Sequence, residues 1–175
     1  MIDHRHEPVF RVIRVNWPDP LDASFSQSSG DTRWNTGHFP ALYCCCSEQV
    51  SVAVAEDVFA YAAVNLSDLQ PEYRPQVARI SWSGDVVDVI SAKGIQGVGL
   101  PIGYPAGVDK SQTRNLAEQW VRDGSEGVVC RSASMMKKGF SNWNGDHEPW
   151  SELAVFVSKA KTRPSLMSRH DLDLN

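Results

Sequence analysis

Two spacings of apolar residues run through this chain and divide it into strands and helices. Phe10-Arg11-Val12-Ile13-Arg14-Val15 alternates apolar with basic residues, as a half-buried strand does. Ala41 to Cys46 also reads as a strand, with Ala41, Tyr43 and Cys45 on one face and Leu42, Cys44 and Cys46 on the other. Period two resumes in Gln76-Val77-Ala78-Arg79-Ile80-Ser81-Trp82 and, after Ser83-Gly84, in Val86-Val87-Asp88-Val89-Ile90. Gly127-Val128-Val129-Cys130-Arg131-Ser132 is a buried strand that ends on two polar residues, and Glu152 to Val157 closes the series.

Helical spacing appears twice. The first helix spans roughly 48 to 65, with Ser47 as N-cap, Glu48 in the first turn and a high alanine content. On it Val52, Glu56, Phe59 and Ala63 share a face, which predicts that the Glu56 carboxylate rides on a mostly apolar stripe. An isolated carboxylate there needs a cation such as Arg33, or a pocket that awaits one. The second helix runs from Ser111 to Val121, with Ser111 placed to cap it and Gly124 to stop it.

Between these elements the chain reads as irregular. Residues 1 to 8 are expected to fray, with His4 and His6 in a loose tail. Pro18 to Gly30 is expected to be a loop, Leu66 to Pro75 a connection, Ser134 to Trp150 a long surface loop, and Lys159 to Asn175 a partly disordered tail. The elements predict one α+β domain of mixed or antiparallel strands with flanking helices. It covers 1–175, with its core at about 10–160 and flexible flanks at 1–8 and 161–175.

At 175 residues and 42% hydrophobic, the chain is long enough to bury a proper core. A net charge of −4, a pI of about 5.7 and the absence of a Lys/Arg block argue against direct nucleic-acid or acidic-membrane partners. No run approaches the roughly 18 apolar residues of a membrane span, and the polar Met1 to Glu7 does not open a secretory signal, so a cytoplasmic location is expected. Cys44, Cys45, Cys46 and Cys130 lack the spacing of zinc ligands or a disulfide frame and read as reduced, small apolar residues.

Several familiar chemistries fall away on spacing. Gly94-Ile95-Gln96-Gly97-Val98-Gly99 has the order G-x-x-G-x-G, and Pro101 and Pro105 deny it a following helix, so it is expected to be a plain loop instead of a phosphate cradle. Cys130-Arg131-Ser132-Ala133-Ser134 lacks the G-x-S-x-G elbow of a serine hydrolase. Asp146-His147-Glu148 is metal-like only in composition, since adjacent residues do not normally converge on one ion, and no metal is expected.

The stretch Asp31 to Tyr43 carries more. Asn35-Thr36-Gly37 is a turn signal, so Arg33 and Tyr43 are predicted to lie near one another across it. Arg131 and Ser132, at a strand end where side chains meet a cleft, are further candidates for chemistry.

Gly30-Asp31-Thr32-Arg33-Trp34-Asn35-Thr36-Gly37, then Ala41-Leu42-Tyr43, then Val54-Ala55-Glu56, and then Glu126-Gly127-Val128-Val129-Cys130-Arg131-Ser132 resemble, in order, the motifs of the RES domain. The resemblance spans about residues 10 to 160. It implies a fold similar to the ADP-ribosyltransferases, an NAD-consuming toxin of a bacterial toxin–antitoxin pair, a cognate antitoxin that blocks the cleft, and a possible homodimer within that complex. It also implies site residues Arg33, Tyr43, Glu56 and Ser132. The basic Cys130-Arg131 and the long 134–150 segment depart from many relatives.

NAD chemistry makes this set intelligible. A planar guanidinium such as Arg33 grips a diphosphate with two parallel hydrogen bonds, and Tyr43 or Trp34 offers a ring to the nicotinamide. Glu56 would supply negative charge beside the oxocarbenium-like ribose, and Ser132 would orient the ribose, the nicotinamide or Glu56. Water or phosphate as acceptor makes a glycohydrolase or a phosphorylase. The alternatives are a mono-ADP-ribosyltransferase acting on a protein and a catalytically silent antitoxin-binding module.

Overall fold

The computed structural model describes residues 2–4, 8–29, 32–140 and 148–173. In chain order its elements are β1 (Ile2–His4), β2 (Val9–Ile13), α1 (Ser24–Ser29), β3 (Ala41–Cys45), α2 (Glu48–Tyr61), β4 (Gln76–Ser81), β5 (Gly84–Val89), α3 (Ala92–Gly97), α4 (Lys110–Arg122), β6 (Gly127–Arg131), α5 (Ala133–Lys137), β7 (Ser151–Phe156) and β8 (Ser165–Asp171). The strands form one sheet in the order β1-β5-β6-β7-β3-β2-β4-β8. Among the described residues only β5 and β6 run parallel, joined by the α3–α4 crossover that a parallel pair requires. The expected α+β class is what forms, and the sheet is mixed.

Alternation along the central strands fills two cores. Leu42, Cys44, Val129, Leu153 and Val155 point to one side with Val9, Ile80 and Trp82. Ala41, Val128, Cys130, Ala154 and Phe156 point to the other, beneath Ile95, Leu100, Ala117 and Trp120 of the α3–α4 layer. Burial on both sides explains why β6 is apolar from Gly127 to Cys130.

Local signals explain many boundaries. Ser47 caps α2 by accepting the Val50 N–H at 3.3 Å. Gly124, at φ +87°, ends the α4 region. The cap of α4 is Asp109, which accepts from the Ser111 N–H, and not Ser111 itself.

Five irregular stretches are more ordered than the pattern predicts. The N-terminus pairs as β1 against β5, placing Ile2 opposite Val86. The 18–30 segment contains α1. The glycine-rich 94–99 segment lies largely in α3, because Ser91 caps it and Asp88 Oδ1 accepts from the Ile90 and Ser91 N–H groups. A Cβ on Gly94 would stand 2.4 Å from the Asp88 carbonyl oxygen, so this glycine is there for a close backbone approach. The 134–150 segment begins with α5 and ends in a 3-10 turn at Glu148–Trp150. The tail forms β8, a solvent-exposed edge strand on β4, where main-chain pairing needs no apolar side chains.

Among the described residues, no helix is long and apolar enough to cross a membrane. All four cysteines are buried and unbridged.

Candidate active site

The turn predicted at residues 35–37 is built by Asn35, whose side chain is fully buried. Its Oδ1 accepts from the Gly37 N–H and its Nδ2 donates to Ser26 Oγ and the Phe39 carbonyl, while Gly37 takes φ +91°. Helix α4 then holds the segment from outside. Thr113 Oγ1 donates to the Arg33 carbonyl at 2.7 Å, Arg114 Nε to the Thr32 carbonyl at 2.8 Å, and Thr36 Oγ1 to Glu118 Oε1 at 2.6 Å. The Thr36 hydrogen bond, followed by the His38 contact, holds the Glu118 carboxyl below the usual carboxylate range. Arg33 is therefore presented by a backbone fixed at both flanks.

The expected proximity of Arg33 and Tyr43 is observed. The Trp34 N–H donates to Tyr43 Oη at 2.9 Å, across the turn. Burial pushes the Tyr43 phenol up to about 12, so it stays protonated. Arg33 is part-buried, donates from Nη1 to Tyr104 Oη at 3.3 Å and lies 5.6 Å over the Tyr104 ring.

Strand register brings the remaining pieces together. Tyr43 pairs with Ala154 and Cys45 with Glu152 across β3–β7, so Tyr43 and Glu152 lie on the same face of the sheet as diagonal neighbours. On the other side of β7, Glu152 pairs with Cys130. Ser132, just past the end of β6, caps α5 by accepting from the Met135 N–H, and its own hydroxyl donates to Glu152 Oε1 at 2.6 Å. Desolvation raises the Glu152 pKa, opposed by the Ser132 hydrogen bond and by the positive charge of Arg33. Sequence reasoning passed over Glu152. Its signal was a lone acid at the head of the apolar run Leu153-Ala154-Val155-Phe156.

Glu152 and Tyr43 line a cavity of about 300 Å3 with Thr32, Cys45, Val54 and Val58. A second cavity of about 600 Å3 shares Trp17 and Phe25 with the first and extends past Arg14 and Asp22. Arg11, on the wall of the first, is tied to backbone carbonyls: its Nη1 donates to that of Pro20 at 2.6 Å and that of Asp22 at 2.9 Å.

Four sequence expectations need correction. Glu56 does not ride on an apolar stripe: it is exposed, ion-paired with Lys138, and lines a separate cavity with Glu48 and His170. Its helix buries Val50, Ser51, Ala53 and Ala55 instead. Trp34 cannot offer its ring to a ligand, because it is 2% exposed, packs 5.4 Å from Trp120 and donates from Nε1 to Cys130 Sγ. Arg131 serves the scaffold, donating from Nε to the Ile90 carbonyl and from Nη1 to that of Ile102. Ser132 is fully buried, and the carboxylate its hydroxyl meets is that of Glu152 and not that of Glu56.

Among the described residues, no group of His, Cys, Asp and Glu is placed to hold a metal ion. Asp146 and His147, and Gly30 and Asp31 of the arginine motif, lie outside the described residues.

The sequence model of the RES domain matches residues 8–159. No curated protein matches the chain. Among solved structures, a chain of the crystal structure of the M. tuberculosis MbcT–MbcA toxin–antitoxin complex is similar, at a TM-score of 0.72 and 20% identity, over 95% of this chain and 84% of that one. At that identity the likeness speaks for the fold.

Proposed function

Because the chain belongs to the RES domain family, we propose that it is the toxin of a toxin–antitoxin pair and acts by breaking the nicotinamide–ribose bond of NAD+. The observation that carries this reading is a pocket lined by Tyr43 and Glu152, with Ser132 hydrogen-bonded to that carboxylate and Arg33 near enough for its charge to act on it. The adjoining cavities at Trp17 and Phe25 suit an elongated, two-part ligand such as a dinucleotide.

In this reading the Arg33 guanidinium meets the diphosphate, and Tyr43 forms a wall against the nicotinamide. The C1′–N bond breaks heterolytically. Its electron pair stays on the ring nitrogen, nicotinamide leaves neutral, and the ribosyl cation accepts a lone pair from an incoming oxygen nucleophile, whose proton is released. With water as nucleophile the products are ADP-ribose, nicotinamide and a proton. A carboxylate beside the cation is the main catalytic demand, because the leaving group needs no acid.

The test is to incubate the purified protein with NAD+, with and without inorganic phosphate, and to identify the products by mass. ADP-ribose alone means hydrolysis, and a phosphorylated ribose product that requires phosphate means phosphorolysis. Label transferred to added protein means ADP-ribosylation. Unchanged NAD+ under all conditions removes the NAD reading. The antitoxin half of the proposal predicts mutual exclusion between the cognate antitoxin and a non-cleavable NAD analogue.

A further inference from the structure

We propose that Glu152, on β7, and not Glu56, on α2, is the carboxylate that faces the ribosyl cation in this protein. The inference rests on the NAD reading above and names the residue that the reading leaves open. Its basis is placement. Val54 and Val58 line the pocket, and residues four apart on a helix share a face. Glu56 lies between them in sequence, roughly 200° of helical rotation from either, so α2 turns valines toward the pocket and this acid away from it.

The ion pair with Lys138 gives Glu56 a settled role on the surface. Its side chain is 44% exposed, a setting where a charge is well hydrated and of little use to a developing cation. Glu152 has the opposite setting. Strand register puts it on the sheet face shared with Tyr43, where it lines the pocket, and Ser132 fixes its orientation from behind. Among the described residues it makes no ion pair. Removing a carboxylate from water without a paired cation is unfavourable, and such groups cluster where a charge is used. A substrate that develops positive charge beside the carboxylate supplies a direct ionic partner only as the barrier is crossed, which is what lowers kcat's barrier without tightening ground-state binding.

Ser132 is then a positioning residue. It holds Glu152 Oε1 and, by donating to it, favours the charged form.

The experiment compares NAD+ turnover by the full-length wild type, Glu152→Gln, Glu56→Gln and Ser132→Ala, with folding followed by circular dichroism and thermal melts. Glu152→Gln is expected to lower kcat about a hundredfold or more with little change in KM, and Glu56→Gln to stay within about threefold of wild type. Ser132→Ala retains the carboxylate but removes its donor, so the acid limb of its kcat–pH profile should move to higher pH. Should Glu152→Gln fail to fold, that displacement decides the matter, because loss of a structural hydroxyl alone would scale the profile without moving its limb. A folded Glu152→Gln with near wild-type kcat, or an unmoved limb in Ser132→Ala, overturns the assignment while leaving the NAD reading intact. An inert wild type overturns both.

Discussion

The indole N–H of Trp34 donates to the Sγ of Cys130 at 3.3 Å, tying the arginine-bearing turn to the central strand β6. The ring also packs against Tyr104, at 6.0 Å between centroids, and Trp120. Trp34 is thus the peg by which the site's most mobile kind of element, a loop, is seated in the second core. The Cys130 thiol, pushed up to about 11 by burial, remains protonated and available as acceptor.

Trp34→Ala is expected to destabilise the protein by about 3–5 kcal/mol, the usual loss for a large buried aromatic. Trp34→Phe should cost clearly less, since most of the packing survives and only the hydrogen bond to sulfur is lost. Urea denaturation of both variants checks this. Equal and small losses would show that the turn is held by α4 alone.

Arg33→Lys retains charge but loses the planar fork and the stacking over Tyr104. On the proposed function its KM for NAD+ should rise roughly tenfold, the equivalent of about 1.4 kcal/mol of binding, with kcat and melting temperature little changed. A lowered melting temperature with unaltered kinetics would instead make Arg33 a structural residue.

The raised pKa of Glu152 has a signed consequence for stability. The folded protein retains this proton to higher pH than the unfolded chain, whose carboxyl titrates near the ordinary 4.5. Between those two values the native state binds more protons, so the Glu152 contribution to stability declines as pH rises and levels off above the folded value. Glutamine does not titrate. The stability of Glu152→Gln relative to wild type, from urea curves at a series of pH values, should therefore improve as pH rises from about 4.5. A flat or falling difference would mean that the pocket does not disfavour the charge.

Gly94→Ala is expected to cost about 1–3 kcal/mol, because its Cβ would press on the Asp88 carbonyl oxygen and on the Asp88 carboxylate, which the Ile90 and Ser91 N–H groups hold in place. Gly97 has no atom within 4 Å of its would-be Cβ, so Gly97→Ala serves as the control and should be neutral or slightly stabilising. Thermal melts of the two variants separate close approach from glycine flexibility.

What the sequence determined by itself was local. The Ser47 cap, the Asn35–Gly37 turn and the opposed faces of Ala41 to Cys46 each depend on residues a few positions apart, so short-range patterning was enough to read them. The nearness of Arg33 to Tyr43 followed from the same turn. The RES motifs, likewise contiguous, identified the family.

The face of α2 was another matter. Valines and alanines surround this helix because it packs against two neighbouring clusters, one with Cys45 and Met135 and one with Leu66 and Leu172, so the apolar pattern did not single out its wet side. Only packing decided that Glu56 faces Lys138. Strand β8 was invisible for a related reason: an edge strand is held by main-chain hydrogen bonds to β4, which leave no mark on side-chain pattern. The position of Glu152 beside Tyr43 and Ser132 depends on the register of β7 between β3 and β6. Those partners lie up to about a hundred residues away in the chain, and a register between distant strands exists only once the sheet has formed.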